Sequence, residues 1–411
     1  MNIAIAGYGI EGKASYEYWD GGEHELTIVD ERTGVETPHG AKTILGEGAF
    51  RKLQDFDMVV RTASLPPSRI QTNGKIWSAT NEFFAKCPAQ IIGVTGTKGK
   101  GTTCSLITSI LRAAGKTVHL VGNIGMPALE VLPQIRAEDI AVYELSSFQL
   151  WDLKKSPHVA VILPIEPDHL DVHASMEEYV NAKSTIARWQ TADDFVIFHA
   201  GNDFSHQIAA SSLAQKIEYP FAIDEFISSL QIPGAHNVEN ATAAIAVARI
   251  FDINNDMIKR GLANFCGLPH RLELIAEHNS VKWYDDSFSS ATPATIVAVQ
   301  AFEQPKILIC GGYDRGLDYS DFAQQLSAVS NLKKVLAIGQ TGPKIVEALH
   351  AAGHENAEFC SEKLMTQIVA KARGYAKPGD VVLLSPGCAS FDMFKNFSDR
   401  GEQFQIAVRQ L

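Results

Sequence analysis

The stretch Ile91–Cys104, IIGVTGTKGKGTTC, constrains this chain more than any other. Ile91, Ile92 and Val94 make a β-favouring apolar run. Gly96, Gly99 and Gly101 follow, with Thr97, Lys98 and Lys100 among them, and Thr102 and Thr103 then open a helix-patterned segment. Strand, glycine-rich turn and helix in that order aim backbone N–H groups and a helix N-terminus at one point, and Lys100 adds a mobile positive charge, so the loop favours a polyphosphate. The spacing departs from G-x-x-x-x-G-K-[ST]: Val94 stands where the first glycine belongs, and Gly101 follows the lysine. A glycine turn without a ligand is the alternative, but packing alone rarely asks for lysine and paired hydroxyls at such a turn.

Ahead of the loop, NIAIAG (residues 2–7) reads as a buried strand, followed by Gly7-x-Gly9-x-x-Gly12, a helix-like ASYEYW segment and a second strand ending in Asp30, eighteen residues past Gly12. This is the dinucleotide-binding fingerprint, with an acid placed for ribose hydroxyls. The phosphate loop begins near residue 91, which leaves room for only about half of a six-stranded dinucleotide fold. A different nucleotide, such as a UDP-sugar, is therefore favoured over NAD, and a glycine turn needed only for packing is the remaining reading. A strand at Asp57–Arg61 and a proline turn at Leu65–Ser68 follow, and the first domain closes near Lys86–Gln90.

Beyond the loop, a helix over about 102–114, strands at Thr117–Val121 and Ile140–Leu145 and the turn Gly122–Gly125 predict a parallel, doubly wound sheet. Ligands in such sheets bind at the carboxyl ends of the strands, which places the loop, Asn123 and Glu144 together. A carboxylate at the end of a buried strand is costly unless a cation or several donors satisfy it, so Glu144 is either a Mg²⁺ ligand or a cap on nearby N–H groups. After the apolar run VAVILP comes an acidic loop with Glu166, Asp168, His169, Asp171 and His173, suited to a metal or simply solvated. By pattern alone Lys183, in a helix over Met176–Gln190, is an ordinary helix lysine. Residues 191–230 carry little signal. Gly234–Asn240 introduces an alanine-rich helix, Ala241–Phe251, in which His236, Asn237 and Asn240 read as donors to a base or ribose, with N-capping an equal account of Asn237.

A third domain opens near Gly267–Arg271 with a hairpin over about 272–285, and strands KILICGG, KVLAIG and VVLLSPG follow, with loops at Asp286-Ser287, Gly311–Gly316 and Ser385–Phe391. The reading is α/β throughout: a Rossmann-like domain (1–88), a P-loop ATPase-type central domain with a parallel sheet (89–267) and a Rossmann-like C-terminal domain (268–411). A net charge of −11 without a basic run argues against a nucleic-acid partner. Six scattered cysteines (87, 104, 266, 310, 360, 388) with no C-x-x-C pair read as reduced thiols of a cytoplasmic protein. No apolar run approaches the ~18 residues of a membrane span, and because the chain opens directly on a strand no signal peptide is expected. A soluble enzyme without a membrane partner is expected.

With GTKGKGTT, YELSSFQL, PDHLDVH, an Ala-Lys helix, GAHNVENA, GLPHRLE, DDS and LSPGCASFDMFKNFSDRGEQF in this order, the chain resembles the Mur ligases along essentially its whole length. The resemblance is greatest to those that add D-glutamate to UDP-N-acetylmuramoyl-L-alanine (UDP-MurNAc-L-Ala) in peptidoglycan synthesis. It implies an ATP- and Mg²⁺-dependent ligation through an acyl phosphate, with two cation sites and a monomer by default. On matching positions, Gly9, Ile10, Glu11, Asp30, Glu31, Arg32, Asn123 and Gln149 would hold the UDP-substrate. Residues 96–103, Gly96 to Thr103, with Asn237, Asn240, Arg271 and Asp286, would hold ATP. Thr102, Glu144, His169 and Lys183, the last as a carbamate, would hold Mg²⁺. Lys100, His169, Lys183 and Arg271 would be catalytic, and Ser290, Arg315, Ser390, Phe391 and Phe397 would take the amino acid. The carbamate has a physical rationale: an ammonium repels Mg²⁺, whereas CO₂ addition makes a carboxylate-like ligand.

Two positions depart from the family pattern. Gly101 replaces the hydroxyl residue after the loop lysine, leaving Thr102 as the metal-side hydroxyl, and Phe288 replaces the lysine of Asp-Ser-Lys-Ala-Thr-Asn, with Ser290 at the threonine position. The amino acid is thus less determined than the reaction. A folylpolyglutamate-type ligase, an NAD-dependent oxidoreductase built on Gly7–Asp30 and a non-catalytic nucleotide-binding regulator are the alternatives.

Overall fold

The computed structural model describes residues 1–411. Its first sheet takes β1 (Asn2–Ala6), β2 (Glu25–Asp30), β3 (Lys42–Leu45), β4 (Met58–Arg61) and β5 (Lys75–Ser78), all parallel, in the order β3-β2-β1-β4-β5. This corrects the expectation of half a dinucleotide fold: five strands are present in Rossmann order, and the sixth is missing. The short strands β3 and β5, each begun by an exposed lysine, supply the difference.

The central sheet holds β6 (Gln90–Thr95), β7 (Val118–Gly122), β8 (Ile140–Glu144), β9 (Val159–Ile162), β10 (Phe195–His199) and β11 (Gln215–Tyr219), again all parallel, in the order β11-β10-β9-β6-β8-β7. Its middle strands are apolar except at their ends, because helices cover both faces. The stretch 191–230 continues the alternation, as β10, the helix Asp203–Ser211 and β11. Strand β11, QKIEY, is a mostly exposed edge whose polar residues hide its conformation from a reading based on apolar runs.

The third sheet contains β12 (Glu273–His278) and β13 (Val281–Asp285), antiparallel about Asn279 and Ser280, then β14 (Lys306–Gly311), β15 (Leu332–Ile338), β16 (Ala357–Phe359) and β17 (Val381–Leu384). The order is β12-β13-β17-β14-β15-β16, parallel from β13 onward.

The chain forms two compact units. One comprises Met1–Ser229 and Glu239–Leu262, the other Leu230–Val238 and Ala263–Leu411. In the first unit a single apolar core runs from Ile3, Tyr8 and Trp19 through Phe83 and Phe84 to Tyr143, Ile186 and Val196, so the first and central sheets share it. Phe83 and Phe84 meet the Tyr143 ring at centroid distances of 5.3 and 5.6 Å. The alanine-rich helix spans Ala235–Ile250, six residues earlier than expected, and so takes His236 and Asn237 into its first turn. No helix is long and apolar enough to cross a membrane.

Candidate active site

Strand β6 ends at Thr95, the chain turns through Gly96 (φ 148°) and Gly99 (φ 84°), and the helix Lys100–Ala113 begins with Gly99 as its N-cap. The helix starts two residues before the expected Thr102, so Lys100 and Gly101 sit in its first turn, where N–H groups have no helical partner. Lys100 Nζ donates to the carbonyls of Gly96 (3.1 Å) and Thr97 (3.0 Å). Gly99 needs to be glycine twice over: its φ is left-handed, and a Cβ would lie 2.4 Å from Asn240 Oδ1. Thr103 Oγ1 donates to that same Oδ1 at 3.3 Å, so Asn240 packs on the loop. Thr102 and Gly101 are buried, and Lys98 is exposed with Nζ 3.6 Å from Glu166 Oε2. Nothing in the structure explains why position 101 is glycine.

The loop after β9 is tied to this turn. Thr97 Oγ1 donates to Glu166 O (3.0 Å) and accepts from Glu166 N (2.9 Å), with Tyr179 OH 3.1 Å away. Strand pairing sets Glu144 opposite Val94 and Ile162 opposite Thr95, so the loops after β8 and β9 flank the phosphate turn. Glu144 is buried and accepts a hydrogen bond from Asn123 Nδ2 at 3.2 Å. His169 is exposed, adopts φ 53° and lies 5.0 Å from the Phe148 ring, with Nε2 3.6 Å from Asp168 Oδ2. His173 is buried, stacked on Phe148 and bonded through Nε2 to Ser147 Oγ at 3.0 Å. Glu166, Asp168 and Asp171 remain exposed.

Lys183 is no ordinary helix lysine. It is 1% exposed, its Nζ donates to Gly96 O at 2.8 Å, and it lies 4.6 Å over the Tyr179 ring. Burial, reinforced by the Lys100 charge, holds its amine well below the usual lysine range. The helical pattern gave no sign that Lys183 is buried or that it meets the phosphate turn. Glu144, paired with Val94, and Lys183, bonded to Gly96 O, thus flank the end of β6, Thr102 opens the helix that follows it, and His169 lies on the loop that Thr97 ties to the turn through Glu166. The Glu144 carboxylate and the Thr102 hydroxyl are oxygen donors of the kind a hard divalent cation takes.

In the first sheet, Gly7 (φ 93°) packs against Thr62, and Gly12 approaches Gly7 so closely that a Cβ would lie 2.0 Å from the Gly7 carbonyl oxygen. Asp30 accepts from Tyr8 N (2.8 Å) and from Arg32 N, Nε and Nη2 (2.9, 2.9 and 2.8 Å). These bonds, led by the Arg32 side chain, pull its carboxyl down to about 2. Oδ2 thus holds the glycine-rich turn through Tyr8 N, while Oδ1 is taken by Arg32. Glu11 Oε2 accepts from Ala63 N at 2.7 Å, Glu31 pairs with Arg69 at 2.6 Å, and Gly9 and Ile10 are exposed. Gln149 is buried in a capping box, its Oε1 accepting from Ser146 N at 2.9 Å and Oγ at 3.1 Å.

In the second unit, His270 (φ 60°) and Leu272 (φ 45°) flank Arg271, whose guanidinium lies 4.7 Å over Phe288. Phe397 meets Phe288 edge-on at 5.2 Å. Asp286 is buried and accepts from Leu272 N (3.2 Å) and Ser385 Oγ (2.6 Å), and burial pushes its carboxyl up to about 6. Ser290 is exposed and donates to Phe288 O at 3.3 Å. Arg315 and Phe391 are exposed, and Ser390 is buried. Asn237 Nδ2 donates to Pro233 O at 2.6 Å. Sequence reasoning missed His270, Glu273 and Asp285, whose potential ligand atoms lie within 4.8 Å of one another. His270 Nδ1 bonds Asp285 Oδ2 at 2.7 Å, and Gln405 Nε2 donates to Glu273 and Asp285 at 3.0 Å each. It also missed Arg400, fully buried and bonded to Ser287 Oγ (2.9 Å), Ser287 O (2.9 Å) and Cys388 O (3.1 Å). An arginine inside a final amphipathic helix gives no local signal of such a role.

Residues 94–225 match the family model described as the Mur ligase middle domain, and residues 270–388 match that of the Mur ligase glutamate ligase domain. The UDP-N-acetylmuramoylalanine–D-glutamate ligase of Acetivibrio thermocellus is 37% identical over 451 aligned residues, covering 100% of this chain and 96% of that one. Among solved structures, the UDP-N-acetylmuramate-alanine ligase of Thermotoga maritima superposes with a TM-score of 0.63 at 17% identity, covering 100% of this chain and 99% of the other. A MurF ligase from Thermotoga maritima in complex with ADP gives 0.60 at 18% identity, covering 99% and 94%. At these identities the solved structures testify to a shared fold.

Proposed function

From the premise that the chain belongs to the Mur ligase family, we propose that it joins D-glutamate to UDP-MurNAc-L-Ala with cleavage of ATP, in peptidoglycan precursor synthesis. The observation that carries the reading is Lys183, a desolvated amine bonded to the first glycine of the phosphate turn. A neutral amine can attack CO₂, forming an N–C bond and releasing a proton. The resulting carbamate, with Thr102, Glu144 and His169, would hold Mg²⁺. The cation would neutralise charge on the transferring phosphoryl group.

The substrate carboxylate attacks the γ-phosphorus, the bond to the bridging oxygen breaks, and an acyl phosphate and ADP result. The amino group of the incoming amino acid then attacks the acyl carbon, and phosphate leaves as the amide forms. Backbone N–H groups of residues 96–103 and Lys100 cradle the phosphates, so the protein works mainly by positioning and charge complementarity. Arg271, Asp286, Asn237 and Asn240 are assigned to the nucleotide. Ser290, Arg315, Ser390, Phe391 and Phe397 are assigned to the amino acid, whose two carboxylates call for a cation such as Arg315. Gly9, Ile10, Glu11, Asp30, Glu31, Arg32, Asn123 and Gln149 are assigned to the UDP-substrate, with Asp30 acting through the turn it holds. The same reading gives a cytoplasmic monomer whose segments 1–88, 89–267 and 268–411 serve UDP-substrate, ATP and amino acid in turn.

The test is phosphate release from ATP with Mg²⁺ and UDP-MurNAc-L-Ala, comparing D-glutamate, L-glutamate and D-aspartate. D-glutamate should support the fastest turnover. Equal release with no amino acid added would overturn the ligase reading, and preference for another member of the panel would overturn the choice of D-glutamate.

A further inference from the structure

Arg61 ends β4 in the otherwise apolar run MVVR and is fully buried. Its guanidinium bonds in two directions. Within the first sheet, Nη1 donates to the carbonyls of Thr62 (3.3 Å), Ala63 (3.4 Å) and Leu65 (3.4 Å), gathering the turn at the carboxyl end of β4. Toward the central sheet, Nε donates to Asp152 Oδ2 at 3.0 Å, while Nη2 donates to Phe148 O at 3.0 Å and to Asp152 Oδ1. The turn it gathers adjoins the glycine-rich turn, since Thr62 Oγ1 donates to Ala6 O (3.3 Å) and Ala63 N to Glu11 Oε2 (2.7 Å). Phe148 and Asp152 lie on either side of Gln149. A buried guanidinium is costly to desolvate, and an apolar residue usually stabilises such a place as well or better. An arginine with this many directed bonds therefore points to a need for fixed geometry between the two elements it joins.

We infer that Arg61 is a positioning residue that holds the Thr62–Leu65 turn of the first sheet and the Phe148–Asp152 segment of the central sheet in register, so that both sides of the UDP-substrate site form together. This rests on the functional reading above, but the coupling itself can be tested apart from it. Lysine at position 61 keeps the charge and loses the fork that spans both partners.

The Arg61→Lys enzyme should show a KM for UDP-MurNAc-L-Ala raised about tenfold, with the KM for ATP within about twofold of wild type. Asp152→Asn, which leaves the arginine and the side-chain shape intact, should move the same constant in the same direction by about threefold. Lowered thermal stability with an unchanged KM for the UDP-substrate, or equal rises in both KM values, would overturn the inference. Hydrogen exchange decides independently of turnover. Asp152→Asn should speed exchange in 62–66 and 146–152 together, and loosening of only one segment, or of neither, would refute the coupling. Should wild-type enzyme fail to turn over UDP-MurNAc-L-Ala, the functional reading falls while the exchange result still tests Arg61.

Discussion

Replacing Asp286 with asparagine isolates the energetic consequence of one buried carboxyl. Asp286 titrates near 6 in the fold, against an ordinary value of 3.8, and the largest cause is its burial. A carboxyl whose folded value is raised favours the folded state when protonated. Its contribution is therefore fully present below the unfolded value and is lost as pH climbs through the folded one. At about 1.4 kcal/mol per pH unit over a gap of about two units, the loss amounts to roughly 3 kcal/mol. Asparagine is neutral at every pH and carries no such term. Its carbonyl can still accept from Leu272 N, while Ser385 Oγ can turn to accept from the new amide. The stability difference, Asp286→Asn minus wild type, should thus grow in favour of the variant by about 3 kcal/mol between pH 3.5 and pH 7. Urea unfolding across that range, followed by hydrogen exchange of β13 and β17, measures it. A difference that stays flat with pH, or that grows in the opposite sense, would refute the assignment of burial as the dominant cause.

Two further variants probe the phosphate turn. Gly99→Ala forces a left-handed alanine into contact with Asn240 Oδ1, and should lose about 1–2 kcal/mol of stability from the backbone alone and raise the KM for ATP; denaturant titration and steady-state kinetics check both, and wild-type values would show that the close approach is unimportant. Lys183→Ala should abolish ligation and regain part of it with added short carboxylates, which mimic a carbamate. Full activity in the alanine enzyme, or a dead enzyme with no rescue, would remove the carbamate from the mechanism.

Much of this architecture was legible because parallel strands buried on both faces are written as continuous apolar runs. NIAIA, IIGVT, VAVI and KILIC each became a strand close to its expected bounds. Short or exposed edge elements were not legible: β3, β5, β11 and β16 bury little, so their sequences follow solvent rather than a core. The phosphate turn was readable from glycine and lysine because those residues answer to local backbone needs. Lys183, Arg61 and Arg400 were not, because each acquires its character from partners distant in sequence: Gly96, Asp152 and Ser287. Asp30 shows the converse, since the fingerprint located it correctly while its carboxylate turned out to hold Tyr8 N and Arg32. The first sheet likewise has more strands than the space before the phosphate loop suggested, so strand number alone does not dispose of a dinucleotide there.

The apolar core shared by the first two sheets bears on how this molecule can be divided. Ile3, Trp19, Phe83 and Phe84 pack into the same interior as Tyr143, Ile186 and Val196. A cut near residue 88 would split that interior and strip its two halves of their mutual cover. The smallest portable piece is therefore the compact unit Met1–Ser229 with Glu239–Leu262. A graft meant to exchange the first sheet for that of a relative must carry both sheets, and carry Arg61 together with its partner Asp152.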